Sequence, residues 1–586
     1  MTLLAGVVAL DGSTLPESLS DELKAALSRR PDQEIAVHRH PNAFLLKLDQ
    51  GTFGDPATRT DSEAVTLVTG EPLIRSNAAR ADASRTADTA LLHEQLLSDD
   101  WSGLREARGV FSLAHYAPRT GALTLATDKL GIRQLYCWTD GRLVVFASAL
   151  RILEALTIVP KRMDLRGVTE ITAFGWALGR RTPYAGVELL AAGEIRRFEG
   201  QRLRNDRYWR WEEITGSGEE EPVLSARLFD AFNEAIRIRL RGDQSAVAFL
   251  SGGLDSRCIV AALREQGTAV HTFNFALPGT QDRDYGARMA LAAGTFHREC
   301  DVGDPVDTRW SSIMADAITS TGLDAAGAVE RPRCAWSGDG GSVGLGHVYL
   351  RRPVVARLSE GDIEGAISAY IECERAYVVR RLLRPRVAAA VESLPHRTVR
   401  EQLDEIHSQD ALQRFYVFLL LNDQHRHLSR HFEDIDVHGL ELQLPFFDSD
   451  FLSIVASIPP ARRLYHSFYV RWLEHFPTYV RSIPWQAYPG HVPCPVEDSD
   501  AARLAYQWDE RVTAEKRAMR KRAMIAETRE VLRSGDFAHP LMRRTYLRLA
   551  SFLHATGFRD YHYVLEAART YQRYWRMSGG DVEQSS

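Results

Sequence analysis

The hexapeptide Ser251-Gly252-Gly253-Leu254-Asp255-Ser256 follows the apolar run Ala246 to Leu250 and precedes Cys258 to Leu263, a segment of helical character. A strand that passes through a glycine turn into a helix gathers backbone N–H groups and a positive helix end at one point, which suits a phosphate. Gly252 and Gly253 let the backbone approach closely, and Ser251 and Ser256 add hydroxyl donors. Asp255 would repel a bare phosphate, so the set calls for a divalent cation, magnesium first, between carboxylate and phosphate oxygens. The loop lacks the Gly-Lys-Ser/Thr ending of a Walker loop and the third glycine of a dinucleotide fingerprint.

Ser337-Gly338-Asp339-Gly340-Gly341 repeats the logic of close backbone approach around one carboxylate. The segment His271 to Phe275 reads as a strand ending beside the first loop. Leu250 and Phe275 then serve either as apolar walls for an adenine ring or as plain core. His427 and His431 have the i, i+4 spacing of a two-histidine metal site, but no metalloprotease glutamate follows His427, and a solvated helix face is the expectation.

The Ser-Gly-Gly-Leu-Asp-Ser string resembles the pyrophosphate loop of the asparagine synthetase family, in which ATP is cleaved to AMP and pyrophosphate. The resemblance implies nucleotide contacts for Leu250 to Ser256, Phe275, Ser337 and Gly338. It also gives Asp339 a catalytic as well as a metal-binding role. The 337–341 segment is similar to the family's second signature, with Ser342-Val343 in place of Asp-Glu. Gly439 to Asp448 resembles the Gly-Leu-Glu-x-x-x-Pro-Phe-Leu-Asp box, which implies that Glu441 orients or deprotonates an amine, its pKa raised by burial; the alternative is an ion-paired structural residue. The family lysine that stabilises acyl transfer has no counterpart, because no lysine lies between Lys161 and Lys516. Arg481 is the expected substitute, or else Lys516 or Lys521 reaching in from the terminal helices.

Gly109 to Ala114, Asp128 to Tyr136 and Phe146 to Ser148 resemble the glutamine amidotransferase domain of the same family. A glutaminase there uses a cysteine as residue 2, and this chain has Met1-Thr2-Leu3; the oxyanion segment reads Thr69-Gly70-Glu71. The expectation is an inactive scaffold.

At 586 residues the chain exceeds one core, and 45% hydrophobic with 25% charged residues reads as a soluble globular protein. A net charge of -5 gives no overall footprint for nucleic acid, and Leu3 to Leu10 meets Asp11-Gly12 too soon for a signal peptide or membrane span. Six cysteines without paired spacing argue against a zinc site or disulfide framework, and a cytoplasmic protein, able to act as a homodimer, is expected. Short apolar runs with turn signals predict layered antiparallel sheets over 1–211, which the resemblance makes Ntn-hydrolase-like. The polar stretch 215–222 reads as a linker, and alternating helix and strand predict a doubly wound parallel sheet with a mostly helical C-terminal part over 223–500. A helical extension fills 501–586.

The resulting expectation is an α/β and α+β ligase that adenylates a carboxylate with ATP and Mg2+ and passes the acyl group to a substrate amine or ammonia without hydrolysing glutamine. Its substrates would be small molecules or peptides. Lasso-peptide cyclases and β-lactam synthetases share the missing cysteine. The alternatives are a degenerate nucleotide-binding or scaffold paralogue, and an enzyme that amidates a saccharide carboxylate.

Overall fold

Alternating runs such as Phe111–Ala117 and Ala122–Thr127 bury a face on each side, and strands of this kind stack as layers. In a computed structural model, which describes residues 2–78, 83–301, 310–498, 503–506 and 514–583, they form two six-stranded sheets paired antiparallel throughout. Thr2–Ala9 lies inside the first sheet, between Leu143–Ala147 and Ala43–Asp49. Leu4, Val8 and Leu45 of this sheet share a core with Leu67, Ala114 and Leu125 of the second. This is the expected layered pair.

From Glu221 the pattern changes as expected. The helix Glu221–Leu240 carries Pro222 in its first turn, where proline's missing N–H is harmless. Residues 215–220 are tied down rather than free: Ser217 N–H donates to Ser457 O at 2.8 Å. Beyond it stands a five-stranded parallel sheet in the spatial order Phe296–Glu299, Ala269–Asn274, Ser245–Phe249, Cys334–Trp336, Glu441–Gln443. Chain order reverses between Ser245–Phe249 and Cys334–Trp336, and a crevice opens there at the carboxyl ends of the strands. The two glycine-rich loops leave these two strands. Helices dominate from Gly341 onward, through Ala514–Arg533, Arg544–Thr556 and His562–Met577. Among the described residues no helix is long and apolar enough to cross a membrane.

The antiparallel layers dock against the opposite end of the parallel sheet through buried ion pairs. Arg133 meets Glu441 at 2.8 Å and Arg108 donates to Asp448 at 3.0 Å, while Arg239 of the helix Glu221–Leu240 holds the same carboxylate at 2.9 Å from the parallel-sheet side. The Gly439 to Asp448 box is therefore the seam between the two halves. Asp448 also caps the helix Ser449–Ser457 by accepting from Asp450 N–H and Phe451 N–H.

Candidate active site

Both glycine-rich loops line one cavity of about 690 Å³, together with Phe249, Tyr349, Arg351, Arg352, His427, Tyr465, Tyr488 and His491. The loops touch each other through atoms that no side chain larger than hydrogen would permit. A Cβ on Gly338 would lie 2.9 Å from Asp255 Cβ, and one on Gly341 would lie 2.5 Å from Asp255 Cγ. Gly252 is fixed in the same way by Asp282, whose Cα would stand 2.7 Å from a Cβ there. The glycines thus place Asp255 under the second loop and Asp339 beside it.

Asp255 Oδ1 accepts from Tyr469 hydroxyl at 2.7 Å, and Oδ2 accepts from Ser342 N–H at 2.9 Å. Burial pushes its carboxyl up to about 6 against those two hydrogen bonds, and the Asp339 charge adds to the rise. Asp339 Oδ2 accepts from Ser337 hydroxyl at 2.5 Å. Two carboxylates bordering one cavity, each with lone pairs left over, fit a magnesium ion that takes its other ligands from phosphate and water. Among the described residues no group of three or more His, Cys, Asp or Glu could hold a metal.

The first loop differs in detail from the expectation of open N–H groups. Gly252 N–H donates to Asp282 Oδ1 at 2.8 Å, Gly253 N–H to Ser251 Oγ at 3.2 Å, and Ser251 N–H to Ser256 Oγ at 3.0 Å. Asp282 and Tyr469 come from segments that no local motif marks. The function of Arg257 is equally unmarked: it is fully buried and, among the described residues, has no carboxylate against it. Its guanidinium donates to the carbonyls of Gly252, Gly253, Val480, Ile483 and Pro484 at 2.8 to 3.3 Å, clamping the 480–484 segment onto the loop. Burial pulls that guanidinium down to about 10.

Several expected site residues lie elsewhere. Leu250 is fully buried and Phe275 is 9% exposed, and neither lines the cavity; Phe249 does, with Phe275 packed edge-on behind it at 6.0 Å. Strand alternation accounts for this, since Phe249 toward the cavity turns Leu250 to the other face. Gly252, Gly253 and Leu254 are absent from the main cavity wall, although Gly253 and Leu254 line a side cavity of about 110 Å³ that shares Ser251, Asp255 and Ser342.

Glu441 is not at the cavity. It opens the strand Glu441–Gln443, so it sits at the end of the sheet remote from the crevice. There Oε1 accepts from Thr2 N–H (2.8 Å), Thr2 hydroxyl (3.0 Å) and Arg133 (2.8 Å), and Oε2 from Arg133 (2.9 Å). Burial is the largest single influence and raises its pKa, but Arg133, joined by other positive charge that includes Arg85, holds it below the ordinary value, the opposite of the expected shift. The space beside Glu441, Gly70 and Arg133 is about 20 Å³, room for a water but not for glutamine.

Arg481 is exposed in the helix Thr478–Ser482 and does not border the cavity, because its carbonyl neighbours Val480 and Ile483, not its side chain, face the loop through Arg257. Lys521 borders a separate cavity with Arg517, Arg520 and Arg559. The Lys516 side chain lies outside the described residues. Among the described residues, the cations that do border the main cavity are Arg351 and Arg352; Arg351 meets Glu374 at 3.3 Å and Arg352 donates to Gly490 O at 3.1 Å. His427 and His431 do not share a solvated face. His427 lies at the cavity with Nε2 3.0 Å from Tyr349 hydroxyl, and His431 is buried with Nδ1 2.7 Å from Ser311 hydroxyl.

A family model described as asparagine synthase matches residues 227–469, the span holding both loops, and one described as a glutamine amidotransferase domain matches residues 74–209. The chain belongs to the asparagine synthetase-like family. Asparagine synthetase [glutamine-hydrolyzing] 3 of Bacillus subtilis is 26% identical over 39% of this chain and 41% of its own length. Asparagine synthetase [glutamine-hydrolyzing] 2 of Arabidopsis thaliana is 24% identical over 51% of this chain and 50% of its own length. Amidase chyE of Penicillium rubens is 28% identical over 33% of this chain and 30% of its own length. The asparagine synthetase-like chain therefore spans half or less of these relatives.

Proposed function

We propose that this asparagine synthetase-like ligase joins a carboxylate to an amine at the expense of ATP. A carboxylate oxygen attacks the α-phosphorus, the bond to pyrophosphate breaks, and an amine then displaces AMP from the acyl carbon. The observation that carries the reading is the convergence of Asp255 and Asp339 from two glycine-rich loops on one cavity at the topological switch point. Asp255 and Asp339 would hold a divalent cation, which when bound neutralises phosphate charge. Ser251 and Ser256 border the cavity with their hydroxyls 3.1 Å apart, so that one of the two donates to the other and leaves the second to donate to a phosphate oxygen; Phe249 supplies the apolar wall, and Arg351 and Arg352 supply positive charge where the family uses lysine.

The nitrogen comes from a substrate amine or from free ammonia. Supporting this, Thr2 is fully buried, its hydroxyl is engaged by Glu441, Arg133 and Gly70 N–H, and the adjoining space does not admit glutamine. The antiparallel half acts as a scaffold, holding the parallel sheet through the Glu441 and Asp448 ion pairs. The test is pyrophosphate release from ATP over a panel of carboxylates with ammonium as the amine. Carboxylate-dependent release in wild type and none in Asp255→Ala is expected; release that ignores the carboxylate would contradict the reading.

A further inference from the structure

The segment closing one side of the cavity holds two successive residues in the left-handed region, Tyr465 (φ 58°) and His466 (φ 64°). Side chains larger than glycine keep such a conformation only where their surroundings enforce it. Here they do. His466 N–H donates to Gly346 O at 3.3 Å, and its ring stacks on Tyr469 and on Tyr488, each centroid 5.6 Å away. A Cβ on Gly346 would stand 2.3 Å from His466 Nε2, so only glycine leaves the ring its place.

His466 Nδ1 lies 2.7 Å from His491 Nδ1, and His466 Nε2 lies 3.3 Å from Ser342 Oγ. His491 borders both the main cavity and its side cavity, as do Ser342 and Asp255. Two Nδ1 atoms at 2.7 Å must share one hydrogen. With Ser342 Oγ accepting from Nε2–H of His466, that ring's Nδ1 becomes the acceptor. His491 is then the Nδ1–H tautomer, and Nε2 is its remaining nitrogen, carrying a lone pair.

We propose that His491 is a catalytic proton acceptor for the incoming amine, with His466 and Ser342 as its positioning residues. The inference rests on the ligase reading above. As the amine nitrogen bonds to the acyl carbon, its proton passes to His491 Nε2; the carbon–oxygen bond to the adenylate breaks, and AMP leaves with the electron pair. His466 Nδ1 accepts from the Nδ1–H of the charged His491 ring, as a triad's orienting group does. Burial keeps both rings unprotonated beforehand, His466 lowered to about 3 and His491 to about 4, the latter also by Arg352 and Arg351. Ser342 stands at the position where the second signature carries aspartate, so the residue that departs from the signature is the anchor of the relay.

The test has two arms on the full chain. In ¹⁵N-histidine NMR spectra of the free protein, His491 should show a protonated Nδ1 and a bare Nε2, and Ser342→Ala should mix the tautomers; an Nε2–H tautomer in wild type would overturn the assignment. In the kinetic arm, His491→Ala and His491→Gln should keep ATP–pyrophosphate exchange within about threefold. Both variants should also trap the acyl group with hydroxylamine, a nucleophile strong enough to attack an acyl adenylate without a base, while amide formation with ammonia falls by about 10² to 10⁴. Equal loss of exchange and amide, or loss of neither, would overturn the proposal. Absence of exchange in wild type would instead remove the ligase reading, leaving the NMR arm to decide whether the relay is built.

Discussion

Replacing Asp255 by asparagine should stabilise the free protein while removing its chemistry. Burial holds the Asp255 carboxyl at about 6 against 3.8 in the ordinary case. At about 1.4 kcal/mol per tenfold change, this is about 2–3 kcal/mol set against folding whenever the carboxyl is charged. The folded state binds the proton more tightly than the unfolded chain, so stability falls as pH rises from about 4 to about 6 and the whole cost is present above that. The amide of Asp255→Asn would keep both neighbours, its oxygen accepting from Ser342 N–H and its nitrogen donating to the Tyr469 oxygen. Thermal melts of the full chain without nucleotide should therefore put the variant's midpoint a few degrees above wild type at pH 7, the gap closing by pH 4. With MgATP the order should reverse, because only wild type gains the binding energy. A variant no more stable than wild type at pH 7 would refute the view that this carboxylate is held charged for function.

Magnesium binding to the free protein should weaken roughly tenfold from pH 7 to pH 5, as Asp255 takes up a proton, and calorimetry in two buffers should show proton release on binding. Arg133→Met should destabilise the chain by about 3–5 kcal/mol by leaving Glu441 buried without its partner, measured by urea denaturation. Gly341→Ala should abolish nucleotide binding, since its Cβ meets Asp255 Cγ at 2.5 Å, and calorimetry with a non-hydrolysable ATP analogue reads this directly. Arg481→Ala should leave pyrophosphate release within about threefold of wild type and stability within about 0.5 kcal/mol.

The loops were legible because their chemistry is local: six successive residues fix a turn, a helix start and a carboxylate, and Ser337 to Gly341 do so again. The parallel sheet was legible from alternating helix and strand, although its strand order was not. What sequence could not reveal arrives from afar. Tyr469 reaches Asp255 across 214 residues and Ser342 reaches it across 87, contacts that leave no periodic mark. The box gives the residues around Glu441 but not the direction in which a three-residue strand presents them; its first residue faces the seam and not the crevice. Arg481 offers charge to a reader of the sequence, whereas the structure uses the backbone on either side of it, gripped by Arg257.

The most direct measurement is the identity of the nucleotide products formed with a carboxylate that supports turnover. The account predicts AMP and pyrophosphate in equal amounts, matching the amide formed and lost in Asp255→Ala. Formation of ADP and inorganic phosphate, or amide without nucleotide cleavage, would contradict it.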